Sequence, residues 1–389
     1  MTAQVSIALA SDAALASAVV GAGLAGSPGA EAELCRRFGS LRFFRRPAIP
    51  FAPARGLMGM NVPATMRALQ QTSLNGPQDL RLITGVPVPT PGRGQVLIRV
   101  AAAGVNFADI SRAYGTFLNG PQPPFLAGFE AAGEVVAVGD AVTELQRGVA
   151  VVGVGLGAFA EYMVLPAAAA LPIPAGWTAQ QALGLVVNWP TALAALKSLG
   201  RIAAGETVLI HAAAGATGQA ALVLAKHYGA TVIAAASPSK HESVRALGAD
   251  HVLDSRAEDL AAQVLKLTGG VGADLVLESA GGATFKASLA SAKRVVGRVV
   301  VYGLAGGEAT LSNWALVYQH PLQVIGFNLG ALIHAAPQLF RQLMGEMSAL
   351  IAASVIRPAH PTTYALADGP KILAKLENRD TIGKLALVP

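Results

Sequence analysis

The stretch TVLIHAAAGATGQAALVLAKHYGATVIAAAS, residues 207–237, is the part of this chain that most narrows its fold. A short apolar run (207–211) gives way to a turn of small residues, then to a helical pattern through Lys226, then to a second apolar run. The alternation continues with a helical segment over 240–248 and the apolar runs ADLVLES (273–279) and RVVVYG (298–303). Strands that are apolar along their whole length, spaced by helices, form a parallel sheet covered on both faces. The expected fold class is α/β, with a Rossmann-type doubly wound parallel sheet over residues 188–328.

The turn after the first strand is a candidate phosphate cradle. Gly215, Ala216, Thr217 and Gly218 let the backbone turn sharply, approach a pyrophosphate and pack the helix close to the strand, with Ala213 at the first glycine position of a G-x-G-x-x-G. The helix N-terminus then presents free N–H groups to phosphate oxygens. In this architecture an acid about 20 residues further on holds a ribose 2′-OH. That count reaches Ser237, in SPSK, where no acid stands. Ser237, Ser239 and Lys240 are suited instead to a 2′-phosphate, which points to NADP(H) over NAD(H). The competing reading is that Ser237 and Pro238 only cap the next helix and Lys240 is solvated.

Residues 66–187 have a different texture: short β-like runs (MRALQQT, DLRLITGVPVP, QVLIRVAAAGV, AAGEVVAVG, VAVVGVG) divided by Gly and Pro. They predict a small β-rich domain, to which the chain returns over 329–389, ending in the strand KLALVP. Residues 1–65 carry six Arg and three acids and read as a poorly ordered extension, a transit peptide, or sequence ahead of a later start at Met58, Met60 or Met66. The net charge of +6 is thus split between this extension and a much larger body, a weak nucleic-acid signal. No strongly apolar run of about 20 residues predicts a membrane span. The single cysteine, Cys35, excludes an intramolecular disulfide and a Cys-rich zinc site, and fits a reducing, cytoplasmic location.

GVNFADI (104–110) together with GFEAAGEVVAVG (128–139) resembles the medium-chain dehydrogenase/reductase superfamily. Where its zinc alcohol dehydrogenases have a Cys, a His and a second Cys as ligands, this chain has Asn106, Phe129 and a residue near Val187. None of these binds zinc well. The motifs GVNFADISRAYG, PPFLAGFEAAGEVVAVG, HAAAGATGQAALVLAKHYGA, GADHVLD and ENRDTIGKLALVP resemble the zinc-free, NADPH-dependent quinone oxidoreductase branch over about 66–389. The resemblance implies a GroES-like catalytic domain (66–187 and 329–389) around the Rossmann domain, and a homodimer joined through the cofactor domains. It implies Asn106 beside the nicotinamide and Thr191 near the cofactor's phosphates or amide. Gly215, Ala216, Thr217 and Gly218 would cradle the pyrophosphate, with Ser237 and Lys240 on the 2′-phosphate. Gly303, Phe327 and Asn328 would line the nicotinamide end, and Lys384 is the late basic residue near the cleft. Tyrosines of some relatives are replaced here by Ser111 or Phe117 and by Ser255, which leaves Tyr114, Ser111 or water as the proton source.

The expected activity is hydride transfer to a quinone or an α,β-unsaturated carbonyl, with Asn106 and Tyr114 as catalytic candidates and no metal. Each candidate has a blander reading: Asn106 as a loop-ordering residue, Tyr114 as a wall or surface aromatic, Asp109 and Glu130 as structural acids, and His211 as a packed residue. An enoyl-thioester reductase shares the chemistry but lacks a clear basic groove, since no lysine occurs over 66–196. A protein that binds NADPH without turnover is the alternative from another class.

Overall fold

A computed structural model describes residues 62–389. Cys35, Met58, Met60 and the extension up to residue 61 lie outside the described residues. The first strands are β1 (Thr65–Gln71), β2 (Leu80–Pro87), β3 (Gln95–Val105), β4 (Phe125–Leu126), β5 (Glu130–Val138), β6 (Ala150–Val154), β7 (Tyr162–Pro166) and β8 (Ala170–Pro172). β1 sits between β2 and β4 in a small antiparallel sheet. β3 is the backbone of a larger one, pairing with both β5 and β7, and nearly every residue along it is buried. Apolar side chains of both sheets, among them Leu69, Ile98, Phe159 and Leu165, share one core.

The parallel sheet follows: β9 (Thr207–Ile210), β10 (Thr231–Ala236), β11 (His251–Asp254), β12 (Leu275–Glu278), β13 (Arg298–Val301) and β14 (Gln323–Gly326), in the order β11-β10-β9-β12-β13-β14. The chain moves outward from β9 in one direction, then restarts at β12 on its other side. That reversal opens a crevice at the C-terminal ends of β9 and β12, where ligands bind in such sheets. The expected strand–helix alternation is thus present, with the helix after β9 running Ala216–His227 and the one after β10 shortened to His241–Ala246 behind a 3-10 turn.

Sequence reading passed over several elements. β4 is two residues long, and β11, β14 and β15 (Thr362–Ala365) are four-residue strands with substantial exposure, too short to show a period. Helix Pro337–Ala352 buries Leu343, Met347 and Leu350 at helical spacing in the same core as Leu193, Leu196 and Leu222. It therefore packs on the parallel-sheet side, and the chain re-enters the antiparallel sheet only at β15 and β16 (Leu385–Val388). β16 pairs antiparallel with β3, opposing Leu385 to Val105. That register places Lys384 beside Asn106, although 278 residues separate them in sequence.

Candidate active site

Asn106 follows β3 and is the N-cap of helix Phe107–Ala113. Its backbone N–H donates to Asp109 Oδ2 at 2.8 Å, which turns the chain into the helix. Its side chain is buried and fully occupied. Asn106 Nδ2 donates to Glu130 Oε2 (2.8 Å) and to the Gly104 carbonyl (3.3 Å), while Oδ1 accepts from Lys384 Nζ (2.8 Å). Lys384 Nζ also donates to Glu130 Oε2 (2.6 Å) and Asn188 Oδ1 (2.9 Å), so all three ammonium donors have acceptors. Glu130 Oε1 accepts from the Gly184 amide at 2.5 Å. Asn188 Nδ2 donates to Thr217 Oγ1 at 2.9 Å. One buried network therefore runs from β3, β5 and β16 to the first turn of the helix after β9.

Thr217 is half-buried and stands with Gly215 and Ala216 at the mouth of the crevice. Gly215 N donates to the Ala212 carbonyl and Gln219 N to that of Gly215. The first-turn amides of Ala216, Thr217 and Gly218 have no acceptor within their helix. A Cβ on Gly218 would lie 2.3 Å from the Ala212 carbonyl oxygen, and one on Gly303 2.5 Å from that of Ser279. Both glycines are therefore required by close backbone approach, and the cradle fits a pyrophosphate. Gly383 is bridged to Gly215 and donates to the Ala214 carbonyl at 2.8 Å, which ties the segment before Lys384 to the cradle.

At the end of β10, Ser237 is extended and starts the 3-10 turn Pro238–Lys240. Lys240 Nζ donates to the Arg379 carbonyl, and the Arg379 guanidinium reaches to 3.0 Å of a Cβ on Gly306. Arg256, after β11, pairs with Asp254. Burial holds the Lys240 ammonium below the usual lysine range, Asp380 opposes that shift, and Arg379 and Arg256 add to it. The charges of Arg256 and Arg379 thus reach Lys240, three residues beyond Ser237, with Asp254 and Asp380 as the nearby acids and none at position 237. Arg256 and Arg379 were missed in the sequence because one follows β11 and the other the helix Gly369–Glu377, far apart in the chain.

The other expected residues are dispersed. Thr191 Oγ1 donates to the Val187 carbonyl at 2.6 Å within its own helix. Asn328 caps helix Leu329–Ala335 by accepting from Ala331 N at 2.9 Å, beside half-buried Phe327. Tyr114 is 39% exposed, and its hydrogen bond to Glu377, with burial and the Glu377 charge, raises its phenol above the usual range. That partner belongs to helix Gly369–Glu377, not to the buried network. His211 is buried against Ser288 Oγ (3.0 Å), which donates to Glu278 Oε2 (2.5 Å), and Glu278 Oε1 accepts from the amides of Ala280 and Gly281. Asn188 is the residue of the network that sequence reading did not single out. It lies in NWPT, where Thr191 was taken instead.

Comparison with known proteins agrees with this layout. The family model for the alcohol dehydrogenase GroES-like domain matches residues 92–175, and that for zinc-binding dehydrogenase matches 216–349. A quinone oxidoreductase-like protein 2 homolog of Nematostella vectensis is 37% identical over 256 residues, 64% of this chain and 69% of that one. The chain belongs to the medium-chain dehydrogenase/reductase family, in its quinone oxidoreductase-like branch. The crystal structure of Escherichia coli quinone oxidoreductase complexed with NADPH superposes with a TM-score of 0.77 at 29% identity, covering 83% of this chain and all (100%) of that one. A mycocerosic acid synthase-like polyketide synthase of Mycobacterium tuberculosis is 34% identical over 303 residues, 76% of this chain but only 14% of the synthase.

The zinc named for the second family domain does not fit the residues of this member. The Asn106 amide is saturated by Glu130, Gly104 and Lys384, and Phe129 offers only hydrocarbon. Among the described residues no three His, Cys, Asp or Glu side chains gather as a metal site, and no helix is long and apolar enough to cross a membrane.

Proposed function

We propose that this protein is an NADPH-dependent oxidoreductase that reduces a quinone or an α,β-unsaturated carbonyl without a metal, as a cytoplasmic homodimer. The observation that carries the cofactor choice is Lys240, just past the end of β10 and within reach of the charges of Arg256 and Arg379, with Ser237 in place of a carboxylate at position 237. Ser237 and the three cations hold the 2′-phosphate, and the amides of residues 216–218 hold the pyrophosphate. Gly303 and Phe327 border the nicotinamide end, with Asn328 capping the adjacent helix.

When bound, NADPH supplies the hydride. Asn106 and Lys384 orient one another through Glu130 and Asn188 and form one fixed, hydrogen-bonded wall of the cleft. With its amide hydrogens engaged, Asn106 acts by shaping this wall. Tyr114, engaged by Glu377, stands outside the network, so water in the open cleft supplies the proton.

An enoyl-thioester acceptor is the second reading, supported by the likeness to the crystal structure of CurK enoyl reductase, with a TM-score of 0.75 at 28% identity over 83% of this chain and 99% of that one. The test is oxidation of NADPH against NADH with one panel of quinones, enones and enoyl-CoAs in the presence of a chelator. NADPH turnover well above NADH, undiminished by chelator, is expected, and the best acceptor decides between the readings. An NADH preference, or loss of activity on chelation, would overturn the corresponding part.

A further inference from the structure

Arg112, in the last turn of helix Phe107–Ala113, is a cation that the buried network leaves out. Its guanidinium carbon lies 4.5 Å from the ring centre of Phe129 and 4.8 Å from that of Phe117. Its Nε is buried and has no hydrogen-bond partner, and among the described residues the side chain makes no ion pair. Burial lowers the guanidinium from its ordinary value, opposed only by the charge of Asp109. Asp109 lies one turn earlier on the same helix, is 4% exposed, and has an Oδ1 that also lacks a partner. Each of these two buried polar atoms thus lacks a hydrogen-bond partner.

One ring of this stack is joined in sequence to the buried network. Phe129 is half-buried and immediately precedes Glu130 of the network, in the position where zinc-dependent relatives hold a metal ligand. Six residues of helix separate Arg112 from Asn106, about 9 Å along the axis, and an arginine side chain spans much of that distance. The two rings fix the plane of the guanidinium while leaving its edge donors unused, a preorganised fork. A neutral quinone oxygen would accept one hydrogen bond from this fork and leave its desolvated charge unmatched. A carboxylate accepts two in parallel and neutralises the charge.

We infer that Arg112, stacked on Phe117 and Phe129, binds a carboxylate on the acceptor, which makes the favoured substrate a small enone acid. The inference rests on the proposed reductase activity and narrows its acceptor.

The test compares (E)-4-oxopent-2-enoate with its methyl ester, each reduced with NADPH by the wild-type protein, Arg112→Gln and Arg112→Lys. The acid should exceed the ester in kcat/KM for the wild type. The acid-to-ester ratio should fall about 30-fold in Arg112→Gln, the loss of one charge-assisted pair, and recover only in part in Arg112→Lys, which keeps charge without the fork. An unchanged ratio in Arg112→Gln, or a wild-type preference for the ester, would overturn the assignment. Calorimetric titration of NADPH-loaded protein with 4-oxopentanoate, the saturated analogue, reads the carboxylate site without turnover. Binding by the wild type that is lost in Arg112→Gln supports the site even if neither enone is reduced, an outcome that would sink the enone reading alone. Equal binding by both proteins, or none by the wild type, would sink the Arg112 site.

Discussion

Lys384 Nζ lies 2.6 Å from Glu130 Oε2, joining the start of β16 to the start of β5, with Lys384 8% exposed and Glu130 wholly buried (0%). Asn106 and Asn188 supply the remaining acceptors for the ammonium, so the pair is both neutral and hydrogen-bonded. Removing one member leaves the other as an uncompensated buried charge, at a cost of about 3–5 kcal/mol. Lys384→Met and Glu130→Gln should each lower stability by that order in urea unfolding. The double variant should lose much less than their sum, because neither charge remains. Additive losses would show that the two residues act separately.

Asp109 makes stability depend on pH. Burial, its largest influence, raises the carboxyl from 3.8 to about 7; the Asn106 amide, Arg112 and Lys384 work against that rise, and Glu130 adds to it. Between those two values the native protein holds a proton that the unfolded chain has already lost, so stability falls as pH rises through the window and levels off above about 7. Asp109→Asn removes the titration and keeps an oxygen for the Asn106 amide. The wild type should therefore lose more stability than Asp109→Asn between pH 5 and pH 8, with an upper bound of about 3 kcal/mol for the roughly two units of the window that this interval covers. Urea midpoints at the two pH values measure it, and parallel losses in both proteins would refute the shift.

Two glycine substitutions separate close packing from backbone freedom. Gly218→Ala places a methyl 2.3 Å from the Ala212 carbonyl oxygen and 2.7 Å from the Ala213 Cα, both backbone atoms that cannot swing aside. It should cost about 1–3 kcal/mol and weaken NADPH binding. Gly345, inside helix Pro337–Ala352, has nothing within 4 Å of such a methyl. Gly345→Ala should stabilise by about 0.5–1 kcal/mol and leave NADPH binding alone. Thermal unfolding with a fluorescence titration of NADPH reads both effects.

The difference between these glycines also marks what the sequence made legible. Gly215 and Gly218 could be read because they lie between a strand and a helix with unmistakable periods, and the turn chemistry is local. The pairing of Lys384 with Asn106 and Glu130 is not local. It depends on β16 adding to β3 in one register, and no pattern in KLALVP names its partner strand. Asn188 was overlooked for the same reason: its role appears only when Thr217 and Lys384 arrive from elsewhere. Tyr114 shows the converse limit: proximity to NFAD in sequence suggested the site, while the hydrogen bond it makes, to Glu377, comes from a helix more than 250 residues away.

Cofactor choice should respond to one residue at the end of β10. Ser237→Asp puts a carboxylate where the 2′-phosphate is proposed to bind, among Lys240, Arg256 and Arg379. Anion repulsion should cut kcat/KM for NADPH by about 100-fold or more, the cost of a like-charge contact of roughly 3 kcal/mol. NADH should be affected little or even favoured, since the new acid accepts from a ribose hydroxyl. Equal losses for both cofactors would place the 2′-phosphate elsewhere.

The edge of the parallel sheet offers a test of the proposed dimer. β14 pairs only with β13, and its Gln323 and Phe327 amides donate inward to the Gly297 and Val301 carbonyls. Alternation along a strand then turns the Val324 and Gly326 amides outward, where nothing in the described chain accepts them. Close by in sequence, Trp314, Val317 and Tyr318 are 57%, 60% and 68% exposed. A second copy adding its own edge here satisfies the outward groups and covers these side chains. Val324→Pro deletes an outward donor without touching the inward ladder. Light scattering should give twice the 39.5 kDa chain mass for the wild type and the single mass for Val324→Pro. A wild-type monomer, or a dimer that survives the proline, would move the interface away from β14.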